Sequence, residues 1–222
     1  MTNNNFQVEK RNTKLIVLSY FLLVLIYAYI RYVLFKGLDF AESGTYIINK
    51  AFAGAAVLSV STAYLISSLS KAGNHTARKL SKYKRYFGLS GFYFMCLHVF
   101  FGLRIINPQF FPAFFDDSSM MNNYGYTIIF LGIAGFAGFL VPAVTSISKV
   151  MQGLSPKSWL KLQRTGYFAF FIIFIHSSWM GAVNWTKIEK WPGLMPPITM
   201  ICSLIIITTI IYRIFVFFKY KK

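Results

Sequence analysis

Six long apolar runs alternate with short polar segments along this chain, and this pattern predicts six membrane-crossing helices. Each run approaches or exceeds the ~18 to 20 residues that cross a ~30 Å hydrocarbon core. The interruptions carry Gly, Pro, Asn and charged residues and are too short for a folded soluble domain. The sequence therefore predicts an all-α, six-helix membrane bundle in which residues 1–222 form one transmembrane domain. The expected spans are residues 14–36, 45–70, 86–106, 124–148, 159–181 and 195–218.

Composition and charge agree with a membrane protein. Hydrophobic residues make up 56% of the chain and charged residues only 13%, a balance too apolar for a soluble domain. The net charge of +17 does not indicate nucleic-acid binding, because the basic residues fall on alternate loops, as the positive-inside rule requires. We therefore expect both termini in the cytoplasm, the bilayer as a partner, and a multi-pass location in the inner cell membrane. The cytoplasmic basic residues are Lys10, Arg11, Lys14, Lys71, Arg78, Lys79, Lys82, Lys84, Arg85, Lys149, Lys157, Lys219, Lys221 and Lys222; the outer loops hold Asp39, Glu42, Asp116, Asp117 and Glu189.

Two histidines lie deep in the apolar spans, where an ionisable residue indicates a functional site. His98 follows Arg85 by 13 residues and His176 follows Arg164 by 12, which places them about 20 and 18 Å from the cytoplasmic ends of their helices. Both helices run outward, so the two imidazoles are expected at nearly the same depth, in the outer half of the bilayer. An isolated histidine is often only a packing residue, but matched depth on parallel helices favours one shared metal.

The spans lack further ligating side chains, and this limits the kind of metal group that the two histidines can bind. Two imidazoles cannot complete a tetrahedral zinc site, and the spans contain no Asp or Glu to add ligands. A porphyrin brings four nitrogens of its own, so His98 and His176 are sufficient as axial ligands of a heme. The chain lacks Cys-x-x-Cys-His, which predicts a non-covalent heme b. Gly91 and Gly102 share a helix face with His98 and either make room for the heme or allow close helix packing.

The stretches Arg85-Tyr86-Phe87-Gly88-Leu89 and Cys96-Leu97-His98 resemble the third helix of the ferric-reductase-like transmembrane domain. Trp159-x-x-Leu162-Gln163-Arg164-x-x-Tyr167 and Ile175-His176 are similar to its fifth helix. Within this superfamily the resemblance is closest to the MsrQ/YedZ-type heme-bearing membrane subunit of the bacterial periplasmic methionine sulfoxide reductase system. It implies electron transfer across the membrane through b hemes, with His98 and His176 as the outer-heme ligands.

The chain departs from that family at the inner heme. The family pattern has a further histidine 13 residues before the outer ligand of helix five, where this chain has Gln163, and the equivalent position before His98 is Arg85. We therefore expect one heme. A second carrier must then fill the cytoplasmic half, either a flavin (FMN or FAD) whose phosphate contacts cations such as Arg85 and Arg164, or a quinol. The same cations are also explained by ordinary positive-inside topology.

Two further cations, Lys50 and Arg104, lie near the outer ends of their spans. They are candidate partners of heme propionates, although snorkelling to the headgroups explains them equally well. His75 is expected to be a solvated loop residue. Gly132, Gly135 and Gly138 predict close packing of the fourth span.

No catalytic motif or nucleotide-binding fingerprint occurs in the sequence. We therefore expect an electron-transfer subunit of an oxidoreductase system, with no catalytic residue of its own. It would depend on a donor (a flavin reductase or a quinol) on the cytoplasmic side or in the membrane, and on a protein or small-molecule acceptor outside. The alternative is a six-helix transporter or assembly factor in which the histidines pack or relay protons.

Overall fold

A computed structural model describes residues 3–220, with side chains from residue 12 onward. Within these ranges six helices are long and apolar enough to cross a membrane, which confirms the predicted all-α architecture. The basic residues Lys10, Arg11, Lys221 and Lys222 lie outside the described side chains. The α-helices are α1 (Asn3–Tyr29), α2 (Phe40–Lys71), α3 (His75–Leu80), α4 (Lys84–Ile105), α5 (Asn123–Val144), α6 (Ser148–Gln152), α7 (Pro156–Trp185) and α8 (Ile198–Lys219).

Capping residues set several helix boundaries that hydropathy alone places differently. Helix α2 begins five residues before the expected start, because the side chain of Asp39 accepts a hydrogen bond from the amide of Ala41. Helix α7 begins at Pro156, where Ser155 accepts a hydrogen bond from the amide of Ser158. The fourth span was expected to reach residue 148, but α5 ends at Val144. The remainder forms a turn and the short helix α6.

The C-terminal end of the first span departs from α geometry. Ile30–Phe35 form a π-helical segment that continues α1, and Arg31 and Tyr32 within it are buried. Such segments are rare and occur often at functional sites. The segment ends at Phe35, and the turn after it contains Gly37, whose positive φ of 73° is available to glycine without strain.

Five helices form a ring. Helix α2 packs most extensively against α4, α5 packs against α7, and α8 lies against both α2 and α7. Helices α4 and α5 meet over a short stretch and close the ring, while α1 packs on the outside of α2. Helices α4 and α7, which carry the two histidines, make at most a marginal contact with each other among the described residues. Their histidines are therefore held by the neighbouring helices rather than by one another.

Glycines bring α5 and α7 close together. A Cβ atom added at Gly138 would lie 2.8 Å from Cβ of Ala169, and one added at Gly135 would collide with Ile173. Such small residues let membrane helices approach closely, where packing rather than the hydrophobic effect holds them together. The predicted role of these glycines in helix packing is confirmed.

The loop between α4 and α5 is ordered by its own contacts. Asp116 accepts hydrogen bonds from the hydroxyl of Ser118 and from the backbone amides of Ser118 and Met120. These hydrogen bonds, that of the Ser118 hydroxyl first, lower the pKa of the Asp116 carboxyl below its usual value. The loop also stacks Phe110 on Tyr46, so it covers the outer end of α2.

Candidate functional site

His98 is fixed by α2. Its Nδ1 atom lies 2.9 Å from the side-chain oxygen of Asn49 and 3.3 Å from the backbone oxygen of the same residue. The backbone oxygen can only accept, so the imidazole must donate from Nδ1. Asn49 is only 4% exposed, and a buried amide in an apolar helix costs free energy unless it has a partner. Its contact with His98 supplies that partner.

His176 is fixed by α5. Its Nδ1 atom lies 2.9 Å from the backbone oxygen of Ile128. This approach requires Gly132, because a Cβ atom there would lie 2.9 Å from Cε1 and 3.1 Å from Nδ1 of His176. Ile128 lies one turn before Gly132, so the missing side chain exposes a second lone pair of a helical carbonyl. Gly132 therefore serves the histidine as well as helix packing.

Both imidazoles are held in the same tautomer with the same atom available. Since each Nδ1 donates to a carbonyl oxygen, the neutral ring carries an unprotonated Nε2. Neither Nε2 has a hydrogen-bond partner among the described residues. The rings are near enough to interact electrostatically. Histidines that ligate metals usually donate their other N–H to a carbonyl or carboxylate in this way, which sets ring orientation and raises ligand basicity.

The donor set of the site fits a metal group that brings its own ligands. Within the described part of the chain, no three His, Cys, Asp or Glu side chains come together. Two imidazole nitrogens alone do not complete a tetrahedral metal site, whereas they do complete the coordination of heme iron. His98 and His176 are the residues that would hold such a group.

The two glycines of α4 that share a face with His98 have different neighbours. Gly91 lies against α2, where an added Cβ would be 2.7 Å from Val60 and 3.2 Å from the backbone oxygen of Ala56. That contact favours the helix-packing interpretation of Gly91. A Cβ at Gly102 would make only an ordinary contact, 3.6 Å from the amide nitrogen of Asn49. Gly102 thus lies beside the residue that orients His98.

Lys50 and Arg104, the two candidate partners of heme propionates, point in different directions. Lys50 places its ammonium 4.2 Å from the ring centre of Tyr46, and it directly follows Asn49, whose side chain holds His98. Arg104 is exposed and stacks on the exposed ring of Phe100, 4.6 Å from its centre. The structure brings only Lys50 to the histidines. Arg31, which was not a candidate from the sequence, contacts the same Tyr32 ring as Lys50.

A cavity of about 290 Å³ opens at the opposite end of the ring, toward the expected cytoplasmic side. Phe92 on α4 and Tyr167 on α7 line it, six and nine residues before the histidines, or about 9 and 14 Å along the helices. Its wall also includes the aromatic side chains of Tyr64 and Trp159. The described residues that line it include no carboxylate and five cations, namely Lys71, Lys84, Arg85, Arg164 and Arg213.

The segment around Gln163 joins α7 to the end of α5. The side-chain nitrogen of Gln163 donates to the backbone oxygen of Pro142 at 2.9 Å, and Trp159 donates to that of Thr145 at 3.1 Å. The last carbonyls of a helix lack partners within it, so these side chains cap α5. Gln163 also lines the cavity. The chain therefore uses a helix-capping amide where the resembled family has an inner histidine.

Several residues of the two sites had only weak signals in the sequence. Asn49 and Arg31 are polar residues within apolar runs. A polar residue in such a run needs a partner, and this requirement is the signal in the sequence that points to both. Lys71 and Arg213 lie at helix ends, where basic residues are ordinary. Only the packing of α2 and α8 against α7 brings them to the cavity.

Comparison with known proteins does not name this site. No family model and no curated protein matches the chain. The geometry of the two histidines and of the cavity is therefore the evidence on its function.

Proposed function

We propose that this protein is a membrane b-type cytochrome, an electron-transfer subunit that passes electrons across the inner cell membrane to an acceptor on the outer face. The observation that supports this most directly is the pair of histidines on α4 and α7. Each is anchored through Nδ1 and leaves Nε2 free, as axial ligands require. One heme b between His98 and His176 would supply a one-electron iron couple. The resemblance to the ferric-reductase-like transmembrane domain, and within it to the MsrQ/YedZ type, supports the same class.

The cytoplasmic cavity supports the second part of the proposal, a carrier between the cytoplasm and the histidines. Its aromatic wall suits a flat ring, and its cations suit an anionic group. Arg85 and Arg164 would contact the phosphate of a flavin such as FMN. A quinol entering from the bilayer would use the aromatic wall alone. Either carrier, when fully reduced, would hold two electrons, could pass them on one at a time, and would lose its two protons on the cytoplasmic side.

We expect one heme per chain, because Gln163 and Arg85 occupy the positions of the inner ligands and neither is a good ligand of heme iron. The detergent-purified protein should be coloured and should show a reduced-minus-oxidised spectrum typical of low-spin heme b. Pyridine hemochrome analysis against protein mass should give a ratio near one. Acid-released flavin fluorescence and extracted quinone, measured on the same sample, identify the second carrier.

The variant Gln163→His sharpens this test. The equivalent position of α4 is Arg85, which would still offer no second ligand, so the heme ratio should stay near one. A ratio near two in the unmodified protein would contradict the proposed single site. A colourless protein that remains colourless after incubation with hemin would contradict the function itself and favour the transporter or assembly-factor alternative.

The proposed topology makes the cavity cytoplasmic and the histidine site outer. A cysteine introduced as Lys79→Cys should react with a membrane-impermeant maleimide only after the membrane is opened, whereas Asp117→Cys should react in intact spheroplasts. The native cysteines set a low background because Cys202 is buried and Cys96 lies within a span. Labelling of Lys79→Cys from outside would reverse the orientation of the bundle.

A further inference from the structure

Two cations near one end of the bundle contact the same aromatic ring, that of Tyr32, and have no acidic partner among the described side chains. The guanidinium carbon of Arg31 lies 4.8 Å from the ring centre of Tyr32, and the ammonium of Lys50 lies 5.3 Å from the same point. Arg31 is 7% exposed, and Lys50 is half-buried. Among the side chains of residues 12–220, no carboxylate forms an ion pair with either cation.

The position of Arg31 is fixed by backbone geometry and hydrogen bonds. The π-helical segment that continues α1 carries Arg31 and Tyr32 inward, and the Nε atom of Arg31 donates to the backbone oxygen of Met195 at 3.1 Å. The hydroxyl of Tyr27 donates to the backbone oxygen of Pro196 at 2.7 Å. Together these bonds fasten the outer end of the first span to the loop before α8. The guanidinium is thus positioned rather than snorkelling freely.

Aromatic faces alone do not balance these charges. A cation over a ring regains only part of the hydration that it loses on burial, and two neighbouring cations also repel each other. Charged residues inside membranes pair with opposite charges or mark ligand sites. Since the described chain offers no acid here, the balancing anion must come from a bound molecule.

Position indicates which anion this is. Lys50 follows Asn49, whose side chain holds His98, so Lys50 lies at the depth of the histidine site. It points toward Tyr46 and Tyr32, on the outer side of that site. A ligand held by the histidines with acidic groups on its outer edge would bring those groups to Arg31 and Lys50. Guanidinium and ammonium groups both bind carboxylates through charge-assisted hydrogen bonds.

We infer that Arg31 and Lys50 form a carboxylate-binding site at the outer edge of the histidine site. The inference rests on the proposed function in one respect: the carboxylates are assigned to the propionates of the bound heme. A free carboxylate solute from the outer side has the same chemistry and is the other source. Arg104 takes no part, because its side chain is exposed and stacks on Phe100.

The test compares hemin with hemin dimethyl ester, in which both propionates are neutral. Full-length apoprotein in detergent is titrated with each compound, and binding is followed through the heme absorbance. Hemin should bind at least about tenfold more tightly than the ester, because only hemin brings charge to the cations. In the double variant Arg31→Gln/Lys50→Met this preference should fall below about twofold, while Arg104→Gln should keep it. Gln at position 31 retains a donor for the Met195 carbonyl, and removal of unbalanced charge should not lower the melting temperature of the apoprotein.

A second arm tests the free-solute source. Succinate is added to the apoprotein, and its melting temperature is followed in the unmodified protein and in the double variant. A rise confined to the unmodified protein, together with equal affinity for hemin and its ester, assigns the site to free carboxylates. Equal affinity without any succinate effect overturns the carboxylate site, as does a hemin preference that survives in the double variant. Because the succinate arm requires no heme, failure of the proposed cytochrome function is seen separately.

Discussion

Replacing either His98 or His176 by alanine is expected to abolish bound heme. The proposed heme has two protein ligands on two helices that barely touch, so loss of one imidazole leaves the iron held from one side only. The measurement is the ratio of heme to protein by pyridine hemochrome for each purified variant. His75→Ala is the matched control, because His75 is exposed at the start of α3 and should keep a ratio near one. Full occupancy in both single variants would refute the assignment of the ligands.

Loss of heme through misfolding must be separated from loss of a ligand. Removal of His98 leaves the buried Asn49 without its partner, which costs about 1 to 3 kcal/mol. Size-exclusion chromatography shows whether the bundle persists. Imidazole added together with hemin should restore a low-spin spectrum in His176→Ala, since a free imidazole fits the space that the side chain leaves. Recovery of the spectrum shows that the missing group is the ligand and not the fold.

The variant Gly132→Ala is expected to disturb heme ligation from a neighbouring helix. The new methyl group would lie 2.9 Å from Cε1 of His176, closer than real contacts allow, so the imidazole must move away from the Ile128 carbonyl. Overpacking of this kind costs about 1 to 3 kcal/mol. The displaced ligand should convert the low-spin heme to a high-spin or mixed form, which the absorption and electron paramagnetic resonance spectra report.

Gly138→Ala is the control for this prediction. Like Gly132 it lies against α7, but its added Cβ would contact Ala169 rather than a histidine. We expect it to lower the melting temperature by a similar amount and to leave the heme spectrum unchanged. If both variants change the spectrum equally, the effect comes from the spacing of α5 and α7 and not from the contact between Gly132 and His176.

The fold was predictable because the bilayer imposes it. A lipid environment forces every backbone polar group into hydrogen bonds within the span, so the apolar runs by themselves imply six helices. Their ends were less predictable. The early start of α2 depends on the Asp39 cap, and the end of α5 at Val144 precedes a turn that hydropathy does not reveal. Helix boundaries depend on single hydrogen bonds, and the hydropathy of a long segment does not reveal them.

The sequence by itself determined the spans, the alternation of basic loops and the two intramembrane histidines as candidate ligands, because these follow from hydrophobic length, charge and the cost of burying a polar group. Only the tertiary structure decided what surrounds them. It assigned Asn49 and the Ile128 carbonyl as partners of the imidazoles, turned Arg104 outward, and placed Arg31 beside Lys50. The physical reason is that helical periodicity relates residues within one helix, whereas the rotation and pairing of helices depend on packing between segments far apart in the chain.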